Sequence, residues 1–335
     1  MKSPAEVFET NAAARCAVII THYNRSQFIK SAIESVLCQT HANLECIVVD
    51  DASDETHCKN LRAIVKELAD KRVRLVELNE NRGQIIAMFA GLEGTLADFV
   101  GFMDPDDIYE PSFIQKMLNA HLNLTTVAAV ASSEMGRYRV GGGPLSRGYT
   151  GFRRRAEEQG KTIEYQQRLA SLGFSLYYPP WHTGWLWSTT SGMLFRRDVL
   201  KLLQPVDLPP DIKMDGDVYL AYGAHMLGGS LFVDEILSWR GVHDLNAAHP
   251  EIVFSQYQKA LKDSFTSKDD RIKKAAVNSL LANGARKYLA VPNLGEIMTA
   301  HFASHTLFDW MSESEPVRDL LGRFAANVSW DATPS

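Results

Sequence analysis

The chain has 335 residues, of which 45% are hydrophobic and 22% charged, with a formal net charge of −5. Such a chain suits a globular protein of roughly two domains, or one large domain with an appendage, and its acidic balance argues against nucleic acid as a partner. Cys16, Cys38, Cys46 and Cys58 form no Cys-x-x-Cys pair and read as reduced thiols of a cytoplasmic protein. Residues 1–15 lack the apolar centre of a signal peptide, and no apolar run approaches the ~18 residues that span a bilayer. Peripheral attachment at the inner face of a membrane stays open.

The first predicted strand is Cys16-Ala17-Val18-Ile19-Ile20, a buried type of run that ends in the polar loop Thr21-His22-Tyr23-Asn24-Arg25. The spacing of Phe28, Ile29, Ala32, Ile33, Val36 and Leu37 predicts a helix over 27–39. A second strand, Leu44-Glu45-Cys46-Ile47-Val48-Val49, ends in Asp50-Asp51-Ala52-Ser53-Asp54, and a helix follows over 57–69. A third strand over 73–78 ends at Asn79-Glu80-Asn81-Arg82-Gly83 and leads to a helix over 84–95. Strand–helix–strand repeated with short loops argues for a mostly parallel sheet with helices on both faces. In such sheets ligands bind beyond the carboxyl ends of the strands. There is no Gly-x-Gly-x-x-Gly after the first strand and no P-loop.

The fourth strand carries the densest chemistry: Phe99-Val100-Gly101-Phe102-Met103 runs into Asp104-Pro105-Asp106-Asp107. Pro105 cannot donate to a ladder, so the strand stops there. Crowded carboxylates repel unless a cation sits among them. Mg²⁺ and Mn²⁺ favour carboxylate oxygens together with substrate phosphates. A solvated acidic turn ahead of a helix at Pro111 is the other reading of the same residues.

These pieces together resemble the nucleotide-sugar-binding half of a family 2 glycosyltransferase with the GT-A fold. The matching motifs are the Tyr23 turn, Ser35-Val36-Leu37-Cys38-Gln39-Thr40, Asp50-Asp51-Ala52-Ser53-Asp54, Asn79-Glu80-Asn81-Arg82-Gly83 and Asp104-Pro105-Asp106-Asp107, in that order. The resemblance implies an inverting, metal-dependent enzyme. It places Thr21, Tyr23 and Asp51 at the base and ribose, with Arg82 and Gly83 in the neighbouring loop. Asp104 and Asp106 would hold ribose and a Mn²⁺ or Mg²⁺ ion on the diphosphate, Asp106 as the direct ligand. One departure stands out: relatives carry an arginine after the position of Ala87, and here Met88 stands there. Arg82 is either its substitute or an ordinary surface arginine.

Residues 132–180 fit the resemblance least. The basic run Arg153-Arg154-Arg155 reads as a solvated helix start, or as a contact for an anionic acceptor or membrane surface. One of Trp181, Trp185 and Trp187 is expected to line the acceptor site. In Asp215-Gly216-Asp217 the resemblance makes Asp217 the catalytic base, with Gly216 where relatives have a glutamate and Asp215 as the competing base. Arg240, His243 and Asn246 resemble the motif whose histidine reaches the diphosphate or metal, which makes His243 a third ligand.

The expected organisation is a GT-A domain over 1–250, with a nucleotide-sugar half over 16–120 and an acceptor half over 121–250, followed by a helical C-terminal extension over 251–335. Tyr257, Leu261 and Phe265 share one helical face, Ile272, Ala276, Leu280 and Leu281 another, and Phe302, Leu307, Phe308, Trp310 and Met311 form an apolar cluster. Dimerisation through these helices, membrane docking and a cover over the acceptor are the roles open to them. The expected reaction moves a sugar from a nucleoside-diphosphate sugar, with UDP favoured, to a hydroxyl of a surface glycan, glycolipid or similar acceptor. A nucleotidyltransferase is the alternative that shares carboxylates and metal, but it needs a glycine-rich basic loop after strand one. A non-catalytic nucleotide-sugar-binding module would bind without turnover.

Overall fold

The structure is a computed structural model. It describes residues 12–123, 128–146, 176–183, 185, 187–206, 208–209, 212, 214–244, 267–284, 301–302, 315 and 317–318. Arg153–155, Asn246, Tyr257, Leu261, Phe265 and the 307–311 cluster lie outside these residues.

The strands are β1 (Cys16–His22), β2 (Leu44–Asp50), β3 (Val73–Glu77), β4 (Phe99–Met103), β5 (Ile108–Tyr109), β6 (Val130–Arg139), β7 (Pro144–Ser146), β8 (Leu176–Tyr178), β9 (Met193–Arg196) and β10 (Ser230–Val242). The helices are α1 (Ile29–Leu37), α2 (Glu55–Leu68), α3 (Gln84–Glu93), α4 (Phe113–Asn123), α5 (Arg197–Leu202), α6 (Gly216–Gly228) and α7 (Ser267–Ala282). All ten strands join one sheet in the order β3-β2-β1-β4-β9-β6-β10-β5, with β7 on β6 and β8 on β10. β1 to β4 pair in parallel, as does β6 with β10, while β9, β5, β7 and β8 run antiparallel to their neighbours. The sheet is thus mixed, with a parallel first half.

Successive side chains of a strand point to opposite faces, and here both faces are covered. Ala17, Ile19, Ile47, Val49, Val100 and Phe102 face the core that α3, α6 and α7 close. Val18, Ile20, Cys46, Val48, Phe99 and Met103 face the core closed by α1 and α4. Two buried faces explain why these strands read as continuous apolar runs rather than alternating ones. Ile272, Ala276, Leu280 and Leu281 of α7 share the first core with Tyr219, Leu220 and Ala224 of α6. Among the described residues no helix is long and apolar enough to cross a membrane.

The parallel register sets the site. His22 pairs with Asp50, Asp50 with Glu77, and Ile20 with Met103. Tyr23, Asp51 and Asp104 therefore leave the sheet along one edge, with Thr21 near the end of the β1 ladder beside Val49. The chain order turns around β1, with β2 on one side and β4 on the other, which opens a crevice at the carboxyl ends.

Candidate active site

The first strand ends above that crevice in a turn whose tip, Asn24, takes the left-handed conformation with φ 53°. Tyr23 stands out of the turn, 47% exposed, while Thr21 behind it is buried. Asp51 is buried as well. Its Oδ1 accepts the Arg82 backbone N–H at 2.9 Å and its Oδ2 the Gly83 N–H at 2.8 Å. The carboxylate thus pins the loop at the start of α3. Gly83 adopts φ 90° there. The Arg82 side chain is 57% exposed and lies 3.7 Å from Glu80.

The fourth strand delivers the carboxylates. The Asp104 N–H donates to Ser191 Oγ at 3.0 Å, and Asp104 Oδ1 accepts from Gln84 Nε2 at 2.8 Å. Asp106 Oδ2 lies 2.9 Å from His243 Nε2. The Asp106 carbonyl accepts from Tyr138 Oη at 2.9 Å, and buried Asp107 accepts the Gly241 N–H at 3.0 Å. Gly241 is needed for this approach, because a Cβ there would collide with the Asp106 carbonyl. The His243 ring is also stacked on Phe28, with centroids 4.0 Å apart. The end of β10 therefore meets the acidic loop through Gly241 and His243, and Phe28, between β1 and α1, backs the His243 ring.

Crowding shows in the proton affinities. Burial, then the charge of Asp106, pushes the Asp104 carboxyl up to about 7, against the opposing pull of Arg240 and Gln84. Asp107 is raised well above the ordinary range by burial and then by Asp106 and Asp104. A site that resists holding its full negative charge is one that a cation completes. Asp106 Oδ2 and His243 Nε2, 2.9 Å apart, stand at ordinary hydrogen-bond distance, and with Asp104 they are the groups that would hold such a cation. The carboxylate oxygens suit Mg²⁺ or Mn²⁺, and the His243 imidazole is a softer donor beside them. Among the described residues the three that bring ligand atoms within 4.8 Å of one another are instead Asp50, Cys58 and Glu77. Those atoms belong to internal networks: Asp50 bonds His22 and Ser53, and Glu77 pairs with Arg62 at 2.8 Å.

Helix α6 faces the acidic loop. Asp215 caps it with φ 74° and makes no side-chain cap bond. Asp217 lies in its first turn, where the helix dipole favours an anion. Its Oδ1 accepts the Val218 N–H at 2.9 Å. Burial nevertheless pushes the Asp217 carboxyl up to about 6, with Asp215 adding to the rise and Arg240 opposing it. Arg240 of β10 thus acts on both Asp104 and Asp217.

The two positions that depart from the resembled pattern meet. A Cβ on Gly216 would lie 2.9 Å from Met88 Sδ and 3.2 Å from Gln84 Oε1. A side chain at 216 therefore requires the flexible end of Met88 to shift. Gln84 itself was not anticipated from sequence. Its amide bonds Asp104 on one side and accepts the Gly216 N–H at 3.4 Å on the other. A polar residue opening an otherwise apolar helix beside Gly83 was the available signal. Nothing local announced Tyr138 or Ser191. Of the tryptophans, Trp187 is core, 1% exposed, its Nε1–H donated to Ser230 Oγ at 2.9 Å. Trp185 packs edge-on against it, and Trp181 is 55% exposed.

Comparison with known proteins follows this geometry. The family model described as glycosyl transferase family 2 matches residues 17–201. An uncharacterized glycosyltransferase of Nostoc sp. is 25% identical over 232 residues, 69% of this chain and 66% of its own length. A putative teichuronic acid biosynthesis glycosyltransferase of Bacillus subtilis is 34% identical over 111 residues, 32% of this chain and 42% of its own. The chain thus spans less than two thirds of the length of the curated relatives it matches. Among solved structures, residues 1–349 of S. aureus TarS in complex with UDP-GlcNAc superpose with a TM-score of 0.52 at 17% identity, covering 93% of this chain and 87% of that one.

Proposed function

Because the chain belongs to glycosyl transferase family 2, we propose that it transfers a sugar from a nucleoside-diphosphate sugar to an acceptor hydroxyl, with inversion and with a divalent cation. The observation that carries the reading is the contact of Asp106 with His243 beside Asp104, with Arg240 acting on both Asp104 and Asp217. Tyr23 offers a face for the base, and Thr21 and Asp51 offer polar groups for base or ribose. Asp104 and Asp106 with His243 hold Mn²⁺ or Mg²⁺, which supplies Lewis-acid stabilisation of the departing diphosphate. Asp217 accepts the proton of the attacking hydroxyl, and its raised proton affinity suits a general base better than an ordinary aspartate would. Arg82 serves as a loop arginine near the donor, and Asp215 as the cap of the base helix.

UDP-sugars are the favoured donors, since TarS binds UDP-GlcNAc. A surface glycan is the favoured acceptor, because relatives are named for teichuronic acid and succinoglycan biosynthesis. A nucleotidyltransferase is disfavoured by the turn after β1, which has neither glycines nor a lysine. The test is a thermal-shift screen against nucleoside diphosphates and their sugars, with and without Mn²⁺. A true donor at ~100 times its Kd stabilises the protein by roughly 2.7 kcal/mol. No shift with any nucleoside diphosphate in Mn²⁺ overturns the reading.

A further inference from the structure

The loops that carry Tyr23 and Asp51 are joined from behind by side chains that the proposed chemistry leaves unused. β1 ends at His22 and β2 at Asp50, side by side in the parallel register. His22 Nδ1 lies 2.6 Å from Asp50 Oδ1, with the two side chains only 0% and 1% exposed. On the far side of the ring, Nε2 lies 3.2 Å from the Arg25 backbone N. A backbone N–H can only donate, so Nε2 accepts and the ring proton sits on Nδ1, donated to Asp50. One imidazole thus spans both loops.

The lacing continues around it. Asp50 accepts the Ser53 hydroxyl at 2.6 Å and the Ser53 N–H at 3.1 Å. Ser53 Oγ accepts the Asn24 N–H at 2.9 Å, and Asn24 Oδ1 accepts the Asp54 N–H at 2.8 Å. Both loops turn through a left-handed non-glycine residue, Asn24 at φ 53° and Ala52 at φ 57°. Such conformations persist only where the surroundings over-determine them. Burying a carboxylate is expensive unless its lone pairs are used, and here they are used on loop groups. Burial alone would push Asp50 up, but the bonds from His22, Ser53 and Cys58 outweigh it and hold the carboxyl at about 2.

We propose that His22 is a positioning residue: through Asp50 and the Arg25 N–H it braces the two loops into one unit and so fixes the placement of Tyr23 relative to Asp51. Each of those residues is the next one along from a member of the pair. Both ring nitrogens are engaged by the loops, so His22 acts on a nucleoside only through them. Loops already held in the binding geometry need no ordering when the ligand arrives, and that raises affinity. The inference rests on the reading of these loops as the nucleoside site.

The test is calorimetry on the full chain with UDP, with GDP and, separately, with inorganic pyrophosphate, all in Mn²⁺. His22→Asn retains a donor near Nδ1 and loses the acceptor, whereas His22→Gln retains a polar group at the reach of Nε2 and loses the Asp50 bond. Each cuts one strut, and each is expected to weaken the nucleotide by about tenfold, the scale of one buried hydrogen bond. Pyrophosphate affinity stays unchanged, because the diphosphate belongs to the Asp104–Asp106 loop. Ser53→Ala keeps the imidazole, removes the Ser53 hydroxyl bonds to Asp50 and Asn24 together with its 3.3 Å contact to His22 Nδ1, and gives the same nucleotide-only loss if the histidine variants fail to fold. A lowered Tm with unchanged nucleotide affinity overturns the brace, and so does a parallel loss of nucleotide and pyrophosphate. If the unmodified protein binds pyrophosphate but neither nucleotide, the nucleoside reading has failed and takes the brace with it. That failure shows in the unmodified protein, whereas failure of the brace alone shows only in the variants.

Discussion

Residues 16–123 and residues 128–244 build their shares of the site by different means. In the first region each candidate residue lies within a few positions of a strand end, on a loop fixed by its neighbours: Asp51 binds the Arg82 and Gly83 N–H groups, and Ser53 binds Asn24. In the second, the residues arrive from far along the chain. β10, 13 residues long, passes two irregularities in its pairing with β6 before its last residues and the following His243 reach the acidic loop. Helix α6 is held by core packing against α7 and by the Met88 contact at Gly216. The proposed donor side is thus preformed by local hydrogen bonds, while the proposed base side depends on distant packing. A change in the first region should act on binding. A change in the second should act on turnover while binding survives.

The largest expected effect tests that division directly. Asp217→Asn keeps the size and most hydrogen bonds of the side chain but cannot take a proton. Transfer should fall by roughly 10²–10⁴-fold, with nucleotide affinity unchanged by calorimetry. Asp215→Asn should lose much less. The reverse order would move the base to Asp215, and near-normal transfer in both would remove the base from this helix. The unmodified enzyme has a matching pH profile. Asp217 must be ionised to accept a proton and its carboxyl sits at about 6, so the rate should rise with pH through about 6 and then level off. A rate that stays level down to pH 4 would contradict this assignment.

Next in size is Asp106→Ala, which straddles the two regions because its carboxylate meets His243. It should abolish the gain in nucleotide affinity that Mn²⁺ gives, while far-UV circular dichroism stays unchanged. Unaltered affinity in Mn²⁺ would take Asp106 out of the site. His243→Ala should weaken the same Mn²⁺ dependence less, since it removes one ligand and leaves the carboxylates.

A third expectation concerns stability rather than chemistry. Gly216→Ala places a methyl 2.9 Å from Met88 Sδ, and overpacking of this kind costs about 1–3 kcal/mol. Because the flexible thioether is the group in the way, Met88→Ala in the same chain should restore part of the loss in urea unfolding. Additive effects of the two changes would mean that they do not share this contact.

The same division decides what was legible in the sequence. The first four strands and their loops were readable because burial on both faces writes each strand as an apolar run, and because each run ends where a polar residue must leave the sheet. The polar clusters around Asp51 and Asp104 follow from that pattern, while the choice of these residues within them comes from the resemblance. β6 was harder to see, because its run from Val130 carries Ser132, Ser133 and Glu134 at buried positions, so it does not look like a core strand. β10 was legible as far as Val233, and its continuation past Asp234 and Glu235 was not. Gln84, Tyr138 and Ser191 touch the acidic loop across 20, 32 and 87 residues of chain. No local signal marks a contact of that kind. Gly216 and Met88, two separate departures along the chain, lie against one another in the fold.

The smallest effect probes the preformed side at its most exposed point. Tyr23 is 47% exposed, so little of the folded state depends on its ring. Tyr23→Ala should leave Tm nearly unchanged, and Asp51→Ala should lower it, since that carboxylate holds two backbone N–H groups of the next loop. If the ring stacks on the base, its removal should weaken UDP by roughly 0.5–1.5 kcal/mol, the usual value of an aromatic pair beyond area burial. Tyr23→Phe should restore most of it, because stacking uses the face and not the hydroxyl. The transfer rate at saturating donor should not change, since the ring lies at the nucleoside end and the proton moves at α6. A fall in that rate at unchanged affinity would place Tyr23 on the acceptor side and break the division between the two regions.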